Sequence, residues 1–542
     1  MANGLPALPD IPPEQRTPLV EALLAIIHAQ QDRIRELEET VQRLRDEIAI
    51  LKGQKPRPQI APSRLEQRSP QPRIEGQKRP GSEKRPKNAQ LTITREQRLP
   101  FPDPPAGSLS KGYEEYIVQE LVVRAESTRY LRERIVTPDG QSLLAPLPDG
   151  VLPGQHFGPE LISHILYQYH HNHVTQALLH EELTERGIAI STGAISRILT
   201  QGNQIFHQEK AELLSAGLTT ASYIQVDDTG ARHQGKNGYC THIGNEVFAY
   251  FASTDSKSRL NFLQVLCGEH RDYVINEIAV AYWRKYELAA ALITSLTEGP
   301  TYFSDAAAWN ARLQALGITA ARLVRITTEG ALLGSLIAHG VSPELVVLSD
   351  GAGQFTLLVH AACWVHAERP LARMIPHTEE HRLQIERVRQ QIWDLYRDLK
   401  AYRQQPQPTQ IAALTARFET LCSQRTVYPS INSVLDEMRE HQADLLCVLK
   451  RPEVPLHNNA SESDIRDYVK KRKISGSTRS DDGRRCRDTF ASLKKTCRKL
   501  GIRFWAYLRD RIRGTGRIPR LADLIRQRAA EDMAGNVQAV PA

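Results

Sequence analysis

The sequence has no closely spaced cysteine pair and no long apolar run. Its seven cysteines are scattered singly, without any CxxC pair. This pattern argues against a disulfide framework or a structural zinc site and is typical of reduced thiols in the cytosol. No stretch approaches the ~18 consecutive apolar residues that a membrane helix needs, which excludes an integral membrane protein. Residues 1–13 lack a basic region followed by an apolar core, so no secretory signal is predicted. These absences predict a cytoplasmic protein without a membrane partner.

Positive charge is concentrated in two segments. The 542-residue chain carries 70 Lys and Arg against 62 Asp and Glu, a net charge of +8. Lys52–Lys87 holds 11 basic and 3 acidic residues, and Asp464–Arg520 holds 19 basic and 6 acidic residues. A solvated basic surface would explain one such segment. Two segments favour a nucleic-acid partner, because basic side chains that neutralise phosphates release condensed counterions.

A seven-residue repeat marks the N-terminal part of the chain. Isoleucine or valine recurs every seventh residue, at Ile27, Ile34, Val41 and Ile48, and leucine stands three places after the last three of them, at Leu37, Leu44 and Leu51, whereas Gln30 follows Ile27. This pattern favours a parallel coiled coil over residues 15–52, and hence a homodimer or higher oligomer. An amphipathic helix packed on its own domain has a similar pattern. Residues 53–90 are rich in proline and basic residues and nearly lack large apolar ones, which predicts a basic disordered linker.

Two further units are predicted before the middle of the chain. Residues 100–150 predict a small strand-rich unit, because 116–123 and 128–136 are rich in β-forming residues and a Pro-Asp-Gly turn follows. Residues 155–215 have the pattern of a helix-turn-helix region with three helices, over 160–169, 174–186 and 191–200. The third helix, which Ser191 would cap, would present three residues to DNA, namely Thr192, Ser196 and Arg197. Any pair of antiparallel helices gives a similar pattern.

Three carboxylates stand where a metal site is expected. Asp227 and Asp228 end a buried strand pattern, and Asp350 ends a second apolar strand later in the chain. Carboxylates at the ends of buried strands point into the crevice where open sheets place their sites, although a lone aspartate there is often a helix cap. Glu462 lies in a predicted helix, on the face that packs against the sheet. Asp227, Asp350 and Glu462 are therefore predicted to hold one or two hard cations.

The order of these motifs resembles the DDE transposases, and in particular those of the bacterial insertion sequence 66 family. The matching motifs are Asp227-Asp228-Thr229, Asp350-Gly351, Cys363-Trp364-Val365-His366, Asn458-Asn459-Ala460-Ser461-Glu462 and the segment Gly501–Leu508. The resemblance extends from the predicted coiled coil to about Arg511. It implies an α/β fold with a ribonuclease-H-like catalytic domain over residues 220–475. A basic C-terminal helical region, 476–530, would follow.

The resemblance also implies a function. The family binds double-stranded DNA at the terminal inverted repeats of an insertion sequence, cuts it and joins it to target DNA, which places it at the bacterial nucleoid. Asp227, Asp350 and Glu462 would be the catalytic residues and would hold two Mg²⁺ (or Mn²⁺) ions, assisted by Asp228 and by His366, for which packing is the more ordinary role. The basic residues implied to grip DNA are Arg466, Arg472, Lys473, Arg484, Arg485 and Arg487.

The chain departs from the family pattern at four places, one of which is a helical insertion at about 272–342, between the first and second acids. Family members often have a cysteine-rich zinc segment before the helix-turn-helix region, but Pro100–Leu144 contains no cysteine, so no zinc is predicted there. His457 stands where the family usually has aspartate, and Ser463 where it usually has arginine. Two other functions stay open. One is a noncatalytic DNA-binding protein or regulator derived from a transposase, and the other is a different ribonuclease-H-like nuclease, such as a junction resolvase.

Overall fold

The computed structural model describes residues 91–538 except 149, 152, 153 and 155, together with four isolated positions nearer the N-terminus. The chain divides into two compact units, residues 1–121 and 122–542. Apart from those four positions, the predicted coiled coil and basic linker lie outside the described residues, so both stay predictions. In the first unit, residues 91–121 contain neither helix nor strand. The rest of the fold belongs to the second unit.

The strands of the described part form three sheets. They are β1 (Arg134–Val136), β2 (Ser142–Leu144), β3 (Tyr223–Gly230), β4 (Tyr239–Gly244), β5 (Ala249–Thr254), β6 (Tyr273–Val274), β7 (Tyr302–Phe303), β8 (Val346–Ser349) and β9 (Val359–Ala362). The central sheet has the order β5-β4-β3-β8-β9. Its first three strands are antiparallel neighbours, whereas β8 runs parallel to both β3 and β9. The outcome is a mixed sheet whose two halves meet at β3 and β8.

The helices surround this sheet and fill the segments between its strands. They are α1 (Pro159–His170), α2 (Gln176–Glu185), α3 (Thr192–Thr200), α4 (Gln204–Thr220), α5 (Arg259–Cys267), α6 (Glu277–Lys285), α7 (Ala290–Thr297), α8 (Ala306–Ala315), α9 (Ala321–Ala338), α10 (Trp364–Arg373), α11 (Glu379–Gln404), α12 (Pro408–Ser423), α13 (Pro429–Glu440), α14 (Gln442–Leu445), α15 (Asn459–Ser475), α16 (Asp481–Lys499), α17 (Phe504–Arg513) and α18 (Leu521–Gln538). Every helix in the described part is too short or too polar to span a membrane.

The strand prediction for residues 100–150 is largely wrong. Residues 116–123 form no strand, and of 128–136 only Arg134–Val136 does, in a short antiparallel hairpin with Ser142–Leu144. The side chains of Tyr116 and Leu121 are mostly exposed to solvent. Since β-propensity reflects packing on a pleated, half-buried surface, apolar residues that pack on no neighbouring strand do not form one.

The three helices predicted before the sheet are confirmed, with ends that shift by one or two residues. Ser191 caps α3 as expected, because its hydroxyl accepts a hydrogen bond from the backbone N–H of Ala194 at 3.2 Å. Ile165 of α1, Leu179 of α2 and Ile195 of α3 are fully buried and belong to one core cluster. The apolar spacing in the sequence therefore corresponds to a packed group of helices.

The segment between β5 and β8 is a helical layer with its own aromatic core. It contains α5 to α9 and the short strands β6 and β7, which pair with each other. Trp283 of α6 and Trp309 of α8 are buried in it. Helix α9 can lie close to α6 because it has glycine at 330, where an added Cβ would come within 2.2 Å of the Trp283 ring nitrogen. This segment includes residues 272–342, the range predicted as an insertion.

Candidate active site

The sheet register brings the two predicted aspartates side by side. Tyr223 pairs with Val346 and Gln225 pairs with Leu348 in the parallel ladder between β3 and β8. Continuing the same register by two residues sets Asp350, just after β8, beside Asp227 on β3. Neighbouring strands lie about 4.8 Å apart, so carboxylates that are 123 positions apart in the chain become neighbours at one edge of the sheet.

Asp227 and the adjacent Asp228 point to opposite faces of the sheet, because successive strand residues alternate. Asp228 lies opposite Thr241 of β4, whose hydroxyl donates to it at 2.5 Å. The side-chain amide of Gln354 donates to its other oxygen at 3.1 Å. Both oxygens of Asp228 thus have protein donors, whereas Asp227 accepts the backbone N–H of Asp228 at 2.7 Å.

Glu462 lies in the first turn of α15, and a buried asparagine fixes where that helix begins. Asn458 is fully buried, and its side-chain amide donates to the carbonyl of Val226, the residue before Asp227, at 2.7 Å. The backbone N–H of Asn458 donates to the sulfur of Cys363 at 3.3 Å. The motifs that contain Cys363 and Asn458 therefore hold the start of the glutamate helix against the strand that carries Asp227.

A buried ionic network holds α15 against the sheet and against α16. His242, which lies opposite Asp227 on β4, contacts the hydroxyl of Ser461 at 2.7 Å and Asp464 at 3.3 Å. Lys499 pairs with Asp464 at 3.0 Å. These opposite charges hold the pKa of Asp464 well below its ordinary value although burial raises it. One turn further on, the aspartate at 467 pairs with the buried lysine at 494 at 2.6 Å.

The electrostatics of Asp227 indicate that the three predicted acids share one site. The pKa of Asp227 is raised from 3.8 to about 6, chiefly by burial and also by the negative charges of Asp350, Glu462 and Asp228, against the lowering effect of its backbone hydrogen bond. A carboxylate whose charge is unfavourable on this account is stabilised by a cation. The same three acids also carry oxygen donors, the ligand type that hard divalent ions prefer.

Two arginines and a histidine lie around Glu462 without making a close hydrogen bond to it. His366, Arg369 and Arg466 each approach a carboxylate oxygen of Glu462 to 3.7 Å. The oxygen Oε1 of Glu462 is buried and accepts no hydrogen bond within the described part of the chain. Burial, with a contribution from Arg369, lowers the pKa of His366, although Glu462 and Asp350 raise it. A buried carboxylate oxygen with free acceptor capacity fits a metal ligand.

The basic residues predicted to contact DNA have different surroundings. Arg466, Lys473 and Arg485 are exposed, as are Thr192 and Arg197 of α3, while Ser196 is partly buried. Arg472 is partly buried and donates to the hydroxyl of Thr229, on the strand that carries Asp227, at 3.3 Å. Arg484 pairs with Asp255 at 2.9 Å.

The prediction for Arg487 needs correction. Its side chain is buried and donates to the backbone carbonyl of Gly476 at 3.0 Å. Burial removes Arg487 from the surface that a DNA backbone would reach, so we assign it to the packing of α16 against the end of α15. The charge run in the sequence gave no sign of this burial, because only the fold decides which face of α16 is inside.

A cavity of about 360 Å³ opens next to the acids, on the Asp228 side of the sheet. It is lined by residues of three segments, namely Lys257, Ser258, Arg259, Tyr286, Arg325, Ile326, Glu329, Gly353 and Gln354. Gln354 joins the cavity to the site through its hydrogen bond to Asp228. Arg259 is held in place by donation to the carbonyl of Gly353 at 2.5 Å. The helical layer between β5 and β8 thus contributes side chains next to the candidate site.

Replacing Lys471 with methionine is expected to remove a pH dependence of stability. Burial, together with the positive charges of Arg487 and Lys494, lowers the pKa of Lys471 from 10.5 to about 7. Between these values the unfolded chain binds a proton that the folded chain does not, so the free energy of unfolding rises with pH from about 7 to 10, by at most about 1.4 kcal/mol per pH unit. Urea unfolding at pH 7 and 9 measures this rise. Lys473→Met, at an exposed position of the same helix, should leave this rise unchanged. If the free energy of unfolding of Lys471→Met rose with pH as steeply as that of the wild type, the prediction would be contradicted.

Comparisons with known proteins identify the family of the chain. The sequence model of the transposase IS66 family matches residues 154–266 and 346–485, which include all three acids and leave the segment between α5 and β8 unmatched. The chain belongs to the transposase IS66 family. A protein of Sinorhizobium fredii (strain NBRC 101917 / NGR234), named "Uncharacterized protein y4jO", is 44% identical over 321 residues, which is 58% of this chain and the whole of that relative. The family match supports a transposase-related function.

Proposed function

We propose that this protein is a DDE transposase with a ribonuclease-H-like catalytic domain, in which Asp227, Asp350 and Glu462 are the catalytic acids. The observation that carries the proposal is the parallel pairing of β3 with β8, whose register, continued by two residues, would set Asp350 beside Asp227; the charge of Asp350 also raises the pKa of Asp227. The helix of Glu462 is tied to the same strand through Asn458. The strand order, with an antiparallel meander followed by two parallel strands, supports a ribonuclease-H-like fold.

Divalent cations, Mg²⁺ or Mn²⁺, are the proposed cofactors. Asp227, Asp350 and Glu462 would hold them, since the buried Oε1 of Glu462 has free acceptor capacity and the raised pKa of Asp227 reflects unbalanced negative charge. When bound, such ions activate the attacking hydroxyl and stabilise the leaving oxygen of a phosphodiester. Asp228, held by Thr241 and Gln354, would keep the end of β3 in position.

The basic side chains around the acids would orient the DNA strand. Arg466 and Arg369 already face Glu462, and His366 lies on the same side with a pKa lowered by burial, so it is neutral near pH 7 and able to accept a proton. The exposed Lys473 and Arg485 would contact phosphates further away. Lys257, Arg259 and Arg325 line the cavity on the other side of the sheet, next to Asp228.

Sequence-specific binding to the terminal repeats is assigned to the helix-turn-helix region. Helix α3 follows α2 after a short turn and exposes Thr192 and Arg197, in the arrangement by which a recognition helix enters a major groove. The predicted N-terminal coiled coil would join two copies, so that one assembly holds both ends of the element. Partners are thus double-stranded DNA, both terminal repeats and target, and a second copy of the chain.

Substitution of Arg197 by alanine is expected to weaken binding to terminal-repeat DNA by about tenfold, because a base or phosphate contact by arginine contributes about 1–3 kcal/mol. Fluorescence anisotropy with a labelled repeat at fixed salt measures the dissociation constant. Arg382→Ala is the matched control, since Arg382 is exposed but pairs with Glu379 and Glu386. Equal binding by Arg197→Ala and the wild type would remove α3 from the proposed interface.

The function itself is tested with the purified full chain and linear DNA that carries the inverted repeats found in the flanking sequence. With Mg²⁺, we expect strand cleavage at the repeat ends and joining of those ends to a target plasmid. A protein that binds the repeats tightly but cleaves nothing would favour the alternative, a noncatalytic regulator. Cleavage of branched junctions in preference to repeat ends would favour a resolvase.

A further inference from the structure

Two histidines and one aspartate meet where the helical segment between β5 and β8 begins and ends. His270 lies in the turn after α5, Asp272 directly precedes β6, and His339 follows the last residue of α9. All three are outside the residues that the family model matches. His339 and Asp272 are 67 positions apart in sequence, so only the fold brings them together.

The distances among these side chains are those of ligand atoms around one ion. One ligand atom from each residue lies within 4.8 Å of the other two. Nε2 of His339 is 3.0 Å from both oxygens of Asp272, and the rings of His270 and His339 stack with centroids 3.5 Å apart. In a tetrahedral zinc site with bonds of about 2.0–2.1 Å, ligand atoms lie about 3.3 Å from each other. Small side-chain rotations would therefore admit an ion.

The exposure of the three side chains also suits a metal. Asp272 is buried while both histidines are exposed, so an ion would enter from solvent.

We propose that His270, Asp272 and His339 form a Zn²⁺ site that is separate from the three catalytic acids. Two imidazole nitrogens and one carboxylate are borderline ligands, typical of zinc rather than of Mg²⁺. Three protein ligands leave a fourth position for water. The ion would link the beginning and the end of the helical segment between β5 and β8, whose residues Arg325 and Glu329 line the cavity. Linking the two ends of so long a segment restricts the motion of the segment.

Zn²⁺ binding to the full-length protein, measured by competition with a chromophoric chelator, tests the site. We expect the wild type to bind one Zn²⁺ more tightly than His270→Ala, His339→Ala or Asp272→Asn, with each substitution weakening that site by at least about 100-fold, because even residues behind the ligands contribute 10–100-fold. His441→Ala is the matched control, since His441 is exposed and also contacts an aspartate, Asp444, at 3.3 Å.

The double variant Asp227→Asn, Glu462→Gln tests whether the proposed catalytic acids are the source of the binding. It should still bind one Zn²⁺ as tightly as the wild type. A second readout uses Co²⁺ in place of Zn²⁺: the wild type should give visible absorption bands that Asp272→Asn, the least disruptive of the three changes, lacks. Wild-type protein that binds no more Zn²⁺ than the three variants would overturn the proposal. So would loss of the tight ion in the double variant of the catalytic acids, or an equal loss in His441→Ala.

Discussion

Asp227→Asn is expected to abolish strand cleavage, lowering its rate at least about 10³-fold, while binding to terminal-repeat DNA stays within a factor of two or so of the wild type. Asparagine keeps the size of the side chain but removes the negative charge and one of the two ligand oxygens. Because Asp227 is the proposed metal ligand on the strand that the glutamate helix packs against, its substitution should weaken the hold on a cation without changing the exposed residues proposed to contact DNA. Single-turnover cleavage with Mg²⁺ and anisotropy without it measure the two quantities separately.

Two controls give this prediction its specificity. Asp228→Asn changes the neighbouring residue, which points to the other face and accepts hydrogen bonds from Thr241 and Gln354, so we expect a smaller loss, about tenfold. Asp523→Asn removes a charge from an exposed pair with Arg526 and should cleave as fast as the wild type. Full activity in Asp227→Asn, or equal losses in Asp227→Asn and Asp228→Asn, would contradict the assignment of Asp227.

Arg511→Met is expected to lower the free energy of unfolding by about 3–5 kcal/mol, because it leaves a buried carboxylate without its cation. Arg511 of α17 donates to both oxygens of Glu209 on α4, at 2.7 and 2.9 Å, and Glu209 is fully buried. Tyr507 and the backbone N–H of Leu521 donate to the same carboxylate. This cluster joins the C-terminal helices to α4, so urea unfolding should report the loss.

The matched control and the pH dependence follow from the same geometry. Arg520 pairs with Glu212 one turn further along α4, but both side chains are about one third exposed, so Arg520→Met should cost less than about 1 kcal/mol. Burial raises the pKa of Glu209, but its hydrogen bonds to Arg511 and Leu521 hold the pKa below 4.5. The pair therefore stabilises the fold above pH 4.5, and this contribution falls as the pH drops through the lower, folded-state pKa. The difference in the free energy of unfolding between Arg511→Met and the wild type should shrink below pH 4. A difference that stays constant with pH would contradict this account.

The elements that carry the three acids were predictable, because local patterns define them. Apolar strands that stop at Asp227 and Asp350 are visible as runs of buried residue types, and the helix of Glu462 as a 3.6-residue spacing. The same holds for α1 to α3. The prediction failed where the structure of a segment depends on packing against distant segments. Residues 116–123 have the composition of a strand, but Tyr116 and Leu121 remain exposed.

The C-terminal basic segment shows a similar limit. Its charge suggested a surface for DNA, but several of its cations are buried, namely Lys471, Arg487, Lys494, Lys495 and Arg511. Some of them neutralise acids of the interior, as Lys494 does for Asp467 and Arg511 for Glu209. Net charge along a sequence therefore overstates the charge available to a polyanion, since it does not distinguish the two faces of a helix.

The amino-acid sequence by itself determined the family, the types of the three acids and the elements on which they lie, because these depend on short-range spacing and residue chemistry. Only the tertiary structure decided that Asp350 lies beside Asp227, that Asp228 faces away, that Asn458 fixes the start of the glutamate helix, and that His270, Asp272 and His339 converge. Those outcomes depend on strand register and on contacts between residues tens to hundreds of positions apart, where a shift of one residue would turn every side chain to the other face of the sheet.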